Sequence, residues 1–233
     1  MGTPVRPLIL AWILVILAPG LFFSCEKDEL TKPAQVTFHF KLDRISPGNG
    51  SITFASGNMD IRSIAFIGDR DNGEDVAFIS DFGSIVRADL ATGNTDPRIV
   101  FDIPQGTYRE ITLLVNPDDT YPDIVVNGEY TPWLMGSPVP LQIEIDLSSD
   151  MTVLARSSDG NSEITLRKDS HPSIDIFLNP SRWFVNFPML ALETAELQNI
   201  RGVPSVLISK DFNPVLYSKL SGLVLESAEA VFQ

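Results

Sequence analysis

The chain has 233 residues and carries 17 Lys and Arg against 30 Asp and Glu, a formal net charge of −13. This acidic balance argues against nucleic-acid binding, which needs a basic footprint, and against electrostatic docking on anionic lipid headgroups. The single cysteine excludes an intramolecular disulfide, and the length suits one large β domain or two small ones.

The first 24 residues have the features of a secretory signal peptide. Arg6 supplies a minimal positive charge, and residues 8–18 form an apolar run that is too short to span a bilayer comfortably. Cys25 follows directly, which predicts that the cysteine is acylated and becomes the mature N-terminus. The alternatives are an unmodified or buried cysteine and a transmembrane anchor that runs to Phe23.

The stretch LFFSCEKDEL, residues 21–30, resembles the lipobox of bacterial lipoproteins, although Phe22 and Phe23 depart from its commonest form. The next three charged residues resemble the surface-export signal of Bacteroidota lipoproteins: Lys27, Asp28 and Glu29. The resemblance implies a lipid such as palmitate on Cys25, a tether over residues 25–34, and a place on the cell-surface face of the outer membrane. A tether that is merely solubilising is the alternative.

From residue 35 onward, short segments with a period of two predict β-strands, and Gly- and Pro-containing turns separate them. The predicted strands are 36–42, 51–54, 60–68, 76–80, 85–90, 99–103, 107–115, 123–129, 141–147, 151–155, 164–167 and 174–178. Many short strands with such turns predict a mainly β fold, an antiparallel β-sandwich over residues 35–180.

After Pro180 the period changes. Helix-forming residues predict a helix over 188–200, and residues 203–208 read as a short strand or extended link. Asn213 followed by Pro214 is typical of a helix start, and apolar residues at helical spacing predict a helix to residue 231. Residues 181–233 are therefore predicted to form an α-helical appendage packed on the sandwich, or alternatively a separate small subdomain.

The stretch FDIPQGTY, from Phe101 to Tyr108, has the order strand, Pro-x-Gly-x-Tyr, strand. This order resembles the transthyretin-like Greek-key sandwiches common among Bacteroidota surface lipoproteins, in which such a turn delivers the next central strand. The resemblance covers residues 35–178. It implies a Greek-key sandwich at the cell surface, and it implies no reaction, because most such lipoproteins have no assigned activity.

Three aromatic residues lie within one loop-rich stretch: Tyr121, Tyr130 and Trp133. Exposed aromatic rings on loops can stack on sugar rings, so these residues are the candidate ligand-binding site. The alternative is that Trp133 caps one end of the sandwich. Trp183 and Phe184, at the change from strand to helix, are predicted to belong to the core.

Other chemistry-bearing residues form no recognisable constellation. His39 and His171 are far apart in sequence and are predicted to be solvent-exposed, and Ser209-Lys210 is an isolated pair. The acidic segment 69–75 could suit calcium, but its glycine falls one place early for an EF-hand and Arg70 would oppose a cation. A solvated turn is the favoured interpretation, and no metal or cofactor is predicted.

These observations favour a non-enzymatic binding or structural component of the outer envelope, with a glycan or a surface protein as its partner. Two alternatives from other classes remain. One is a glycoside hydrolase-like enzyme that uses an unrecognised pair of carboxylates. The other is a fimbrial subunit in which an edge strand is donated between protomers.

Overall fold

The structure is a computed structural model, which describes residues 32–233 except 44–45, 48–49, 118–120, 134–135 and 148. The predicted signal peptide, the predicted acylation site Cys25 and the predicted export signal Lys27, Asp28 and Glu29 lie outside the described residues. Fourteen strands and few helices occupy the described ranges, so the predicted mainly β class is confirmed. No helix within these ranges is long and apolar enough to cross a membrane.

The strands are numbered in chain order. They are β1 Ala34–Leu42, β2 Ile52–Arg70, β3 Val76–Asp89, β4 Thr95–Asp96, β5 Val100–Ile103, β6 Gly106–Pro117, β7 Ile124–Tyr130, β8 Val139–Ile145, β9 Met151–Ser157, β10 Ile164–Leu166, β11 Ser173–Leu178, β12 Leu197–Ile200, β13 Val203–Ile208 and β14 Glu229–Phe232. The helices are α1 Pro180–Trp183, α2 Leu190–Glu193 and α3 Pro214–Glu226, and a 3₁₀ turn covers Lys168–Ser170.

Strand β2 is the long element on which the sheet is built. The sequence predicts two strands separated at Gly57, but the structure has one continuous strand with register shifts near residues 55 and 62. A Cβ atom at Gly57 would lie 2.7 Å from the carbonyl oxygen of Val125. Glycine is therefore needed here for the close approach of the neighbouring strand β7, and it does not end the strand.

One edge of β2 pairs with β7 along residues 52–59 and with β6 along residues 61–70, and β3 pairs with the other edge. The main path is β12-β13-β8-β7-β2-β6-β9-β14-β11-β1-β5, and β3, β4 and β10 lie off it. Strand β4 pairs with β3, and β10 pairs with β6. Three of the pairs are parallel, β1–β11, β8–β13 and β9–β14, so the sheet is mixed and not wholly antiparallel. Each parallel pair joins strands that are distant in sequence, as crossover connections require.

Strand β9 passes from one layer to the other. Its residues 151–154 pair with β6, and its residues 155–157 pair with β14. The layer that contains β5 packs on β3 through aromatic rings, because the Phe101 ring lies 5.3 Å from Phe78 and 6.4 Å from Phe82. The two layers therefore share one apolar core.

The other half of β2 is covered by the segment after residue 180. The ring of Phe54 lies 6.2 Å from Trp183 and 6.1 Å from Phe184, and both of these residues are buried, which confirms the core prediction for them. The indole N–H of Trp183 donates a 2.6 Å hydrogen bond to Ser227 Oγ. This contact ties α1 to the end of α3.

Helix α3 confirms the predicted helix start at Pro214, and Leu216, Leu220 and Val224 form its buried face. The two helix predictions are wrong at their ends, because residues 197–200 form β12 and residues 229–232 form β14. Backbone pairing with β13, β9 and β11 outweighs the local helical pattern there. The domain boundary at residue 180 stays a prediction, while strands that follow it pair with strands that precede it.

Candidate functional site

Trp133 lies on the loop between β7 and β8, and 86% of its surface is exposed. Its backbone N–H donates a 2.8 Å hydrogen bond to Glu193 Oε1, on helix α2. The hydroxyl of Tyr130, a residue that is only 3% exposed, donates a 2.5 Å hydrogen bond to the same oxygen. One carboxylate therefore fixes the loop that carries the exposed indole ring.

Burial raises the pKa of Tyr130, and the hydrogen bond to Glu193 and the negative charge of that residue raise it further. Each of these causes disfavours the phenolate. The tyrosine therefore keeps its proton and acts as a donor, and the carboxylate of Glu193 acts as the acceptor.

Around this carboxylate lies an open pocket of about 330 Å³. Its lining combines hydroxyl groups, a carboxylate and apolar side chains, from Ser51, Thr131, Trp133, Met189, Leu190 and Glu193. Leu190 is 74% exposed, so the indole ring and Leu190 leave an apolar surface open to solvent. An aromatic face beside hydrogen-bonding groups suits the face and the hydroxyl groups of a sugar ring.

Tyr121 lies apart from this pocket. The Lys210 ammonium is 3.7 Å from the centre of its ring, and its hydroxyl donates to Glu144 Oε2 at 3.4 Å. Burial raises the pKa of Tyr121. The structure thus brings Tyr130 and Trp133 together and places Tyr121 in a separate cluster around the start of β7.

The Ser209-Lys210 pair belongs to that second cluster. The Ser209 hydroxyl accepts hydrogen bonds from the backbone N–H groups of Phe212 at 3.0 Å and Asp211 at 3.3 Å. Lys210 forms an ion pair with Asp146 at 3.2 Å. These contacts fix the turn that precedes α3, which gives both residues a structural role.

The two histidines are far apart in the fold as well as in the sequence. His39 is half-buried on β1, with Nδ1 3.2 Å from the carbonyl oxygen of Gly93, so the expected solvent exposure is wrong for this residue. This partner, Gly93, is 54 positions away in the sequence, so the alternating pattern of β1 does not reveal it. His171 is exposed and lies just after the 3₁₀ turn.

The acidic segment 69–75 forms the turn between β2 and β3. Asp69 accepts a 2.8 Å hydrogen bond from Arg109, and Asp75 accepts one of 3.2 Å from the backbone N–H of Arg70. Among the described residues, no group of three or more His, Cys, Asp or Glu is arranged to hold a metal ion.

Sequence reasoning missed Glu193, which is 60 residues from Trp133 in the chain and meets it only through the fold. It also missed an open polar groove of about 660 Å³ on the outer face of β2, β7 and β8. The groove is lined by amide, hydroxyl and guanidinium groups from Ser56, Asn58, Asn127, Gln142 and Arg201. Alternation along each strand predicts polar outward positions, but it does not predict that they form a concave surface.

No protein-family model matches this sequence, and no curated protein matches it. Among solved structures, MbnP from Methylosinus trichosporium is similar, with a TM-score of 0.35 and 9% sequence identity. The alignment covers 66% of this chain and 78% of that chain. At this TM-score, the likeness carries no conclusion about the function of the chain.

Proposed function

We propose that this chain is a lipid-anchored surface lipoprotein of a Bacteroidota-like bacterium, and that it binds a saccharide without catalysing a reaction on it. The anchor is proposed from the signal-like segment and the position of Cys25. The surface location is proposed from the resemblance of Lys27, Asp28 and Glu29 to an export signal. The saccharide is proposed from the pocket that Trp133 and Glu193 form.

The observation that carries the binding proposal is the exposed indole ring of Trp133 beside a fixed carboxylate. Exposing a tryptophan to water leaves a large apolar surface unburied, and a stacked sugar ring would cover it. Oε1 of Glu193 already accepts two hydrogen bonds. Its Oε2 has no hydrogen-bond partner among the described residues and is free to accept one from a sugar hydroxyl.

The position of the pocket in the fold agrees with a role in binding outside the cell. The described chain begins at Lys32, whose carbonyl oxygen accepts a 2.6 Å hydrogen bond from Gln105. The carbonyl oxygen of Gln105 in turn accepts a hydrogen bond from Arg70, the last residue of β2. The pocket lies at the first residues of β2. A tether at Lys32 would therefore attach near the opposite end of the 19-residue strand β2 from Trp133.

The binding proposal is tested by screening the full chain, held in neutral detergent, on a glycan array and then titrating each positive glycan. We expect Trp133→Ala to weaken binding about fivefold or more, because loss of one stacked ring removes about 1 kcal/mol or more. The matched control is Ile79→Ala, which removes an equally exposed apolar side chain from β3. Equal affinity for wild type and Trp133→Ala, or no glycan bound at all, would refute the proposal.

The anchor is tested by labelling cells with a palmitate analogue. We expect the label on wild type and none on Cys25→Ser, because the thiol is the acylation site. Replacing Lys27, Asp28 and Glu29 with alanine should keep the label while antibody labelling of intact cells falls sharply. Unchanged surface labelling would leave only a solubilising tether.

The hydrolase alternative requires two carboxylates about 5–10 Å apart. Among the described residues that line the Trp133 pocket, Glu193 is the sole carboxylate. Binding without hydrolysis is therefore the function that this pocket supports better. Release of a shorter glycan during the titration would favour the hydrolase instead.

A further inference from the structure

A second pocket, of about 500 Å³, lies at the other end of β2. We call it the basic pocket and define it by Arg70, Arg167 and Lys168. One acidic side chain, Asp169, also lines it, and the remaining lining includes Gln105 and Thr165. Three cationic groups against one carboxylate is an unusual local balance in a chain whose net charge is −13.

The guanidinium group of Arg70 is held in place by the turn between β5 and β6. Its Nη2 donates a 2.6 Å hydrogen bond to the carbonyl oxygen of Gln105. A Cβ atom at Gly106 would lie 3.0 Å from the same nitrogen, so a larger residue here would displace the guanidinium group. The Arg70 side chain is therefore fixed before any ligand arrives, which lowers the entropy cost of binding.

One nitrogen of Arg70 is closed to the basic pocket. Its Nε is buried and has no hydrogen-bond partner among the described residues. A ligand in the pocket therefore meets the positive charge of Arg70 without a hydrogen bond from Nε.

Gln105 connects the walls of the basic pocket. Its side-chain Oε1 accepts a 3.1 Å hydrogen bond from the backbone N–H of Lys168, and its Nε2 donates to the carbonyl oxygen of Lys32. The 3₁₀ turn that carries Lys168 is thereby joined to the strand end that carries Arg70. The cationic groups come from separate segments, and one side chain holds the segments together.

We propose that the basic pocket binds a phosphate-type oxyanion. Guanidinium and ammonium groups make charge-assisted hydrogen bonds to such oxygens, and these bonds are stronger inside a partly enclosed site than in open water. The pocket is several times larger than a single phosphate group, so it has room for an anion that is part of a larger molecule. The same chemistry is offered by free phosphate and by the phosphodiester of a lipid headgroup.

A lipid headgroup is within reach if Cys25 carries the proposed anchor. Lys32 is seven positions after Cys25 in the sequence, so the extended tether spans at most about 25 Å. The carbonyl of Lys32 is bonded to Gln105, a lining residue of the basic pocket. This location rests on the proposed anchor, whereas the binding of phosphate in solution does not.

The proposal is tested by titrating inorganic phosphate into the full chain in neutral detergent at low salt. We expect saturable binding that falls at least tenfold in the double variant Arg167→Gln/Lys168→Gln, which leaves the Arg70 clamp intact. Asp169→Asn removes the one opposing charge and should tighten binding several-fold. Lys219→Gln, which removes one positive charge from the exposed face of α3, should change nothing.

A second arm replaces phosphate with neutral micelles that contain phosphatidylglycerol. Binding of these micelles that is lost in the double variant would support the proposal with a lipid headgroup as the source. Binding of inorganic phosphate alone would support it with a free anion as the source. The proposal is overturned if neither probe binds, or if the double variant binds both probes as well as the wild type. These results are independent of palmitate labelling at Cys25, so they separate this proposal from that of the anchor.

Discussion

The two ends of β2 carry different kinds of surface. At its first residues, Trp133 is exposed and makes one backbone hydrogen bond to the fixed carboxylate of Glu193. At its last residues, Arg70 is half-buried and clamps the turn that contains Gln105. At the aromatic end, the proposed ligand-binding ring of Trp133 therefore contributes little to the packing of the fold. At the basic end, the proposed ligand-binding Arg70 also holds the fold together.

This difference decides how each end can be tested. A change at Trp133 should affect recognition alone, because the supporting contacts are made by buried neighbours. A change at Arg70 should affect folding and recognition together. The function of the basic pocket must therefore be tested through Arg167, Lys168 and Asp169, which lie on its rim.

The largest effect is expected from replacing the buried Trp183, which supports the aromatic end of β2. Trp183→Ala should lower the free energy of unfolding by about 3–5 kcal/mol, because it leaves a cavity beside Phe54 and removes the donor to the buried Ser227 hydroxyl. Urea denaturation followed by circular dichroism measures it. Trp133→Ala is the control, with an expected change below about 0.5 kcal/mol. Similar losses in the two variants would contradict the separation of ligand surface and scaffold.

At the basic end, Arg70→Met keeps most of the apolar stem and removes the guanidinium. We expect a loss of about 1–3 kcal/mol in unfolding free energy, since the Gln105 carbonyl loses its charged donor. Arg167→Met, on the exposed rim, should change the same quantity by less than about 0.5 kcal/mol. If Arg70→Met were as silent as its control, Arg70 would not be a clamp.

Alkaline pH distinguishes the ends through two tyrosines. Burial raises the pKa of both, but Glu193 raises that of Tyr130 further, whereas the charge of Arg70 lowers that of Tyr108. Above about pH 10 the unfolded chain loses tyrosine protons that the folded chain keeps. The contribution of these tyrosines to the free energy of unfolding is therefore fully present below that pH and is lost as the pH rises. The limit is about 1.4 kcal/mol per pH unit for each tyrosine.

Denaturation midpoints between pH 8 and about pH 11 test this expectation. Tyr130→Phe should flatten the decline more than Tyr108→Phe does, because its folded-state pKa is raised by burial and a carboxylate together. If stability declines equally in wild type and in both variants, groups other than these two tyrosines cause the decline.

The smallest expected effect concerns the link between loop and helix. Glu193→Gln removes the charge from the acceptor of Tyr130 and Trp133, and we expect a loss of about 1 kcal/mol in unfolding free energy. Thermal denaturation at neutral pH measures it. A loss above about 3 kcal/mol would show that the aromatic end depends on its surface as much as the basic end does.

Local patterns predicted much of the fold. Alternation along β8 places Leu141, Ile143 and Ile145 in the core, as expected, and Asn213-Pro214 marks the start of α3. Such features depend on residues that are close in sequence, which is why a single sequence reveals them.

The remaining features depend on contacts between distant residues. The helical pattern of residues 188–200 gives way to β12 because pairing with β13 satisfies its backbone. In the sequence Gly57 resembles a strand break. In the structure the position must be glycine, because the backbone of Val125 lies against it. The pocket could be predicted only as far as its exposed ring, since neither Glu193 nor the basic pocket has a local signature.

Strand β14 lies between β9 and β11, although residues 229–232 are synthesised after the other thirteen strands. Until these residues are made, the facing edges of β9 and β11 have no partner strand. The two layers are then not joined by a continuous series of backbone hydrogen bonds. During synthesis in sequence order, the sheet therefore stays unclosed until residues 229–232 leave the ribosome. Until then, two open strand edges are available for a chaperone to bind.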